Sequence, residues 1–255
     1  MEALKKFAEA IETYISPSTF PVAVKLLKSE ADIPKGIERA SKVYGHRFNL
    51  CQGWAMARHN GESVAMLKDD QICPLGIIVL GLAELPEFYQ EGNIFIDRYT
   101  ASSEAAARIA DEMYKFPAGE YVGLVTAPVP TCDFEPDLVL IFCNPLQLLR
   151  LIQAAINKEG GRFPNSILPT AVCADAIVPA MLDGRCHFAI PCLGDRSYGA
   201  TSADEVIFTV PADRLEEIAI GLKYTQEHGM VLPSHRWIDF EPVPSEVYKK
   251  LRGML

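Results

Sequence analysis

One pattern that occurs twice constrains this chain more than any other feature. In Leu50–Gly81 (LCQGWAMARHNGESVAMLKDDQICPLGIIVLG), Cys51 opens an apolar helix and Gly61 ends it. Ser63 to Leu67 then reads as extended, and Cys73 stands before Pro74 and Gly76. In Val172–Gly199 (VCADAIVPAMLDGRCHFAIPCLGDRSYG), Cys173 opens a helix, a glycine-containing turn and a strand follow, and Cys192 precedes Gly194. The spacings are C-x21-C and C-x18-C. The shared order of parts predicts two related halves, 1–130 and 131–255, packed as one two-lobed unit. Each half would bring two thiols, and the four would meet at one place.

Composition limits what those thiols can be. At 255 residues, with 49% hydrophobic and 22% charged residues, the chain can bury a sizeable core. A net charge of −9 argues against a general nucleic-acid surface. The N-terminus, MEALKKFAEAIETYI, is amphipathic and acidic and lacks the form of a signal peptide. The longest apolar run, Leu75 to Leu85, contains two glycines and a glutamate, so it reads as core and not as a membrane span. A cytoplasmic location is therefore expected. Seven cysteines in such a chain do not suggest a disulfide framework; they suggest packing, metal binding or redox chemistry. C-x2-C pairs are absent, which removes the ordinary zinc-ribbon pattern.

Periodicity predicts a mixed α/β (or α+β) fold. Leu4, Phe7, Ala8, Ile11 and Ile15 form a helical stripe over residues 3–16. Val22 to Leu27 reads as a strand with Val22, Val24 and Leu26 on one face and Lys25 on the other. Asn93 to Asp97 reads as a short extended piece, Ser102 to Lys115 as a helix, and Tyr121 to Thr126 as a strand. The proline-rich APVPTCDFEP marks the boundary between halves. Leu138 to Cys143 has the continuous apolar character of a strand covered on both faces. Asn144-Pro145 then starts a helix that Gly160-Gly161 ends. Val206 to Val210 is a strand, a helix covers residues 212–224, and the tail passes Pro233, Pro242 and Pro244 to a terminal helix, residues 245–255.

Cys51 and Cys173 at helix starts lie where free N–H groups and the helix dipole favour thiolate. Cys73 and Cys192 follow extended segments and lie close to glycines that admit a bulky group. Four thiolates suit zinc or an iron–sulfur cluster; the alternative is four small buried hydrophobes. Cys132, Cys143 and Cys186 read as packing or linker residues. Gly194 to Gly199 (GDRSYG) reads as a loop in which Arg196 binds a carboxylate or phosphate and Asp195 holds that guanidinium. Asp175 either caps its helix or supports a ligand. Lys25 and Arg58 are further candidate anion contacts, with solvated or snorkelling cations as the alternative. Gly160-Gly161-Arg162 lacks a phosphate-loop pattern, and neither an H-E-x-x-H nor a G-x-S-x-G motif occurs.

The segments PVAVKLL (21–27), Cys51, ICPLG (72–76), NPLQLLRLIQA (144–154), CADAI (173–177) and PCLGDRSYG (191–199) together resemble the family known as domain of unknown function 169. The resemblance spans nearly the whole chain and implies an origin among archaea and anaerobic bacteria, without naming an activity. Its pattern coincides with Cys51, Cys73, Cys173, Cys192, Asp175, Asp195 and Arg196. An anaerobic setting implies an oxygen-sensitive [4Fe–4S] cluster ahead of zinc. The expectation is a metal-centre protein with a redox or cofactor-accessory role, and with a small anionic ligand or a redox partner protein. A homo-oligomer is compatible with this, and neither nucleic acid nor membrane is expected as a partner. Two alternatives stand beside it: a metal-free thiol enzyme with a reactive helix-start cysteine, and a small-molecule-binding protein whose cysteines are structural.

Overall fold

The apolar runs Val22–Leu27 and Leu138–Cys143 become neighbouring antiparallel strands at the middle of one sheet. This is a computed structural model, and it describes residues 1–231 and 245–254. The first part of the chain forms α1 (Glu2–Tyr14), β1 (Val22–Leu27), β2 (Glu38–Arg39), α2 (Ala40–Tyr44), α3 (Leu50–Ala55) and β3 (Val64–Leu67). Then come α4 (Pro74–Val79), α5 (Glu87–Gln90), α6 (Ser103–Glu112) and β4 (Gly123–Pro128). After them follow β5 (Leu138–Cys143), α7 (Pro145–Ala155), α8 (Val172–Asp183), β6 (His187–Ala189) and α9 (Leu193–Tyr198). β7 (Val206–Pro211), α10 (Leu215–Glu227) and α11 (Glu246–Arg252) complete the series.

The strand order is β2-β3-β4-β1-β5-β7-β6. Every pairing is antiparallel except the two-residue β2–β3 rung. Outward from the central β1–β5 pair, β4 and β3 follow on one side and β7 and β6 on the other. On each side the strand that comes first in the chain is central and the last lies next to it, with β3 or β6 beyond; the two-residue β2 adds an edge outside β3 that has no counterpart on the other side.

Period-two alternation sorts the side chains between the two faces. Val22, Val24, Leu26, Leu138, Leu140 and Phe142 enter one core, which α3, α4 and α8 cover. Ala23, Leu27, Val139, Ile141 and Cys143 enter the other, beneath α1, α7 and α10. The result is a mixed α/β architecture of three layers. Asn144 caps α7 through hydrogen bonds from the N–H groups of Leu146 and Gln147, with Pro145 at the first helical position. Gly53 lets α3 press onto the sheet: a Cβ there would stand 2.4 Å from Sδ of Met66. Thr126 fixes that approach by donating from Oγ1 to the Gly53 carbonyl at 2.9 Å.

Three local expectations are corrected. Asn93 to Asp97 is a succession of turns and not a strand, because Phe95, Ile96 and Asn93 bond back to Gly92 and Phe88. The helix expected to reach Lys115 ends at Glu112, since Met113 is extended; the Lys115 ammonium instead donates to the carbonyls of Ala110, Asp111 and Met113. Gly194 to Tyr198 is helical and not a loop, with Gly199 as the residue that ends the helix. Pro233, Pro242 and Pro244 lie outside the described residues. Among the described residues no helix is long and apolar enough to cross a membrane.

Candidate metal centre

All four singled-out cysteines stand at helix starts. Cys51 is the second residue of α3 and Cys173 the second of α8. Cys73 is the N-cap of α4 and Cys192 the N-cap of α9, both with extended backbone. Their four helices converge on one cavity of about 700 Å³, and all four thiols line it. Cys51 and Cys173 are buried, while Cys73 and Cys192 are half-buried. In contrast, Cys143 and Cys186 are packed in the opposite core, and Cys132 rests at its margin.

The thiols share one electrostatic field. Burial pushes the Cys173 thiol well above its ordinary value, and charge on Cys73, Cys192 or Cys51 pushes it further. Cys51 is raised by burial first, then by Asp195, Cys73 and Cys192. Burial also raises Cys73, against the opposing pull of the Gly76 and Leu75 N–H groups. Uncompensated thiolates are therefore disfavoured here, and a bound cation is what would reverse the balance. Among the described residues, no three His, Cys, Asp or Glu side chains gather closely enough to hold a single ion.

The walls are tied together behind the thiols. Cys51 Sγ is 3.7 Å from the Gly194 carbonyl oxygen, which it faces as a donor. Trp54, one turn beyond Cys51, donates from Nε1 to Oδ1 of Asp195 at 2.7 Å. Gln52 Oε1 accepts the Asn49 N–H at 2.8 Å and closes the start of α3. Gly76 brings α4 against that start, where a Cβ would lie 3.2 Å from Leu50 Cβ. Behind α9, Arg58 is almost completely buried; its Nη2 donates to both oxygens of Glu205 at 2.6 and 2.8 Å. The same guanidinium lies 3.7 Å over the Phe142 ring.

The model of the family described as uncharacterised ArCR, domain of unknown function 169, matches residues 10–221. The chain belongs to this family. An uncharacterized protein of Methanocaldococcus jannaschii is 28% identical over 208 residues, covering 81% of this chain and 88% of that protein. No solved structure matches. The matched span of the domain of unknown function 169 family contains both cysteine pairs and all four helices that carry them.

The other expected site residues of this family member separate. Asp195 is fully buried, but it pairs with Trp54 and not with Arg196. Arg196 donates to the Ser202 carbonyl and is not part of the cavity wall. The reason is helical: consecutive residues of α9 point about 100° apart, so residues 195 and 196 cannot share one target. Burial raises the Asp195 carboxyl, against the hydrogen bond from Trp54 and the charges of Arg58 and Arg196. Asp175 caps nothing in its own helix; its Oδ2 accepts the Leu168 N–H at 2.8 Å and so holds the strand of loop that supplies Thr170 and Ala171 to the cavity. Burial pushes its carboxyl up to about 6. Lys25 shares the sheet face of Ala23 and Leu27, opposite the thiols, and donates to the Glu135 carbonyl at 3.3 Å. Arg58 is a buried structural cation behind the site and not one of its wall residues. Trp54, Arg98, Tyr99 and Tyr198 line the cavity without having been singled out in the sequence. For Trp54 the signal was its spacing of three from Cys51; for the others no local signal exists.

Proposed function

We propose that Cys51, Cys73, Cys173 and Cys192 hold a [4Fe–4S] cluster, and that the protein serves redox or metallocofactor-accessory chemistry in an anaerobic cytosol. One observation carries this reading: four of the seven thiols, drawn from positions up to 141 residues apart, line a single cavity at four helix starts. Four thiols lining one cavity are the donor type that such a cluster takes. Zinc at about 2.3 Å from each sulfur needs its sulfurs within roughly 3.8 Å of one another. A cluster binds one sulfur per iron and so takes a wider set of sulfurs than a single ion does. When bound, such a cluster would supply one-electron transfer. The chain's own contribution would be N–H groups of Leu75 and Gly76 directed at the Cys73 sulfur, and burial that lowers the local dielectric.

The repeated strand order supports a duplication as the origin of the fourfold set. β1, α3, β3, α4 and β4 on one side correspond in order to β5, α8, β6, α9 and β7 on the other, with a cysteine at each of the four helix starts. A redox partner protein would then approach at the cavity mouth. The metal-free thiol enzyme has less support, because Cys51 and Cys173 are buried and disfavoured as thiolates, the reverse of an activated nucleophile.

The test is anaerobic purification followed by a visible spectrum and assays of iron and acid-labile sulfide. About four of each per chain are expected for a full cluster. Serine at Cys51, Cys73, Cys173 or Cys192 should lower both, whereas alanine at Cys132, Cys143 or Cys186 should leave both unchanged. A colourless, iron-free protein whose four serine variants fold normally would sink the proposal.

A further inference from the structure

The cavity is larger than its four thiols explain, and its mouth has a distinct character. At about 700 Å³ it falls within the range of small-molecule sites. Ile72, Tyr99, Leu193 and Tyr198 line it, yet each is strongly exposed, at 62%, 46%, 75% and 58%. Large apolar side chains concentrated at one opening mark a surface that is covered in use. Arg98 is the only cation among the wall residues. Among the described residues it forms no ion pair, although ten such pairs occur elsewhere. The one carboxylate in the wall, Asp195, is buried and committed to Trp54.

A constrained turn carries this cation. Asp97 adopts φ +60°, the left-handed region, and its N–H closes a tight turn on the Thr100 carbonyl at 2.9 Å. Aspartate tolerates this conformation better than most residues. Arg98 and Tyr99 therefore occupy the tip of a constrained turn, side by side at the cavity.

The geometry points to a small organic monocarboxylate with an apolar, ring-sized body, bound in the mouth of the thiol cavity with its carboxylate on Arg98 and its body between Tyr99, Tyr198 and Leu193. A guanidinium fork matches one carboxylate bidentately. A lone cation in a protein of net charge −9 suits a single negative charge better than phosphate. This rests on the reading of the cavity as the functional site and names the class of ligand that it takes. Arg98 thus fills the role that the sequence assigned to Arg196.

Isothermal titration of the anaerobically purified full chain with phenylacetate, phenylacetamide and inorganic phosphate tests this. Phenylacetate should bind at least tenfold tighter than its neutral amide, and phosphate should not compete. Arg98→Ala should abolish the difference between acid and amide, and Arg98→Lys should restore part of it. Equal affinity for acid and amide, an unchanged Arg98→Ala variant, effective competition by phosphate, or no binding at millimolar phenylacetate would each overturn the inference. Because Arg98 is exposed, its variants should keep the wild-type melting temperature and the wild-type iron and sulfide content. Those two assays separate the fates of the proposals. A full cluster without Arg98-dependent binding overturns only the ligand; Arg98-dependent binding without iron overturns only the cluster.

Discussion

The indole Nε1 of Trp54 donates a 2.7 Å hydrogen bond to Oδ1 of Asp195. Trp54 follows Cys51 by one helical turn and Asp195 lies three residues after Cys192, so this bond ties the helix that carries Cys51 to the helix that Cys192 begins. Both partners are fully buried. A buried acceptor that loses its donor costs about 1–3 kcal/mol.

Trp54→Phe should therefore destabilise the chain by roughly 2–4 kcal/mol, from the lost bond together with the packing deficit of the smaller ring. Asp195→Asn, which keeps an acceptor oxygen for the indole, should cost less. Urea denaturation of the two variants measures the difference. Equal stability of Trp54→Phe and wild type would show that the bond does not hold α3 and α9 together.

The buried Arg58–Glu205 pair should behave asymmetrically. Glu205→Leu alone leaves the guanidinium buried without its counter-charge and should cost about 3–5 kcal/mol. Replacing both partners, Arg58→Met with Glu205→Leu, should recover much of that loss, because desolvation of two charges is relieved at once. The double-mutant cycle, read by denaturant midpoints, decides it. A double variant as unstable as the sum of the single ones would mean that the pair does not act as a unit.

Thiol reactivity should follow burial. In metal-free folded protein at pH 8, Cys51 and Cys173 should react with iodoacetamide at least about tenfold more slowly than in urea-unfolded protein, since each unit of raised pKa removes tenfold of thiolate. Peptide mass spectrometry over a time course gives the rate at each cysteine. A single fast-reacting thiol among the four would favour the thiol-enzyme reading over the cluster.

The sequence alone determined the local elements whose signals are short in range. The alternation of Val22 to Leu27 fixed which face each side chain takes, and Asn144-Pro145 fixed the start of α7 through capping chemistry that needs only four consecutive residues. The selection of Cys51, Cys73, Cys173 and Cys192 over the other three cysteines also came from local order, because helix starts and glycine breaks are written in neighbouring residues. Where the sequence misread Gly194 to Gly199, two glycines suggested a loop; contact between α3 and α9, closed by Trp54 and Asp195, holds the segment as a helix. Only the tertiary structure could bring the four sulfurs to one cavity, since that depends on the antiparallel pairing of β1 with β5 across more than a hundred residues. It alone put Arg98, and not Arg196, in the cavity wall, because which way a cation points is decided by the turn or helix that carries it and by what that element packs against.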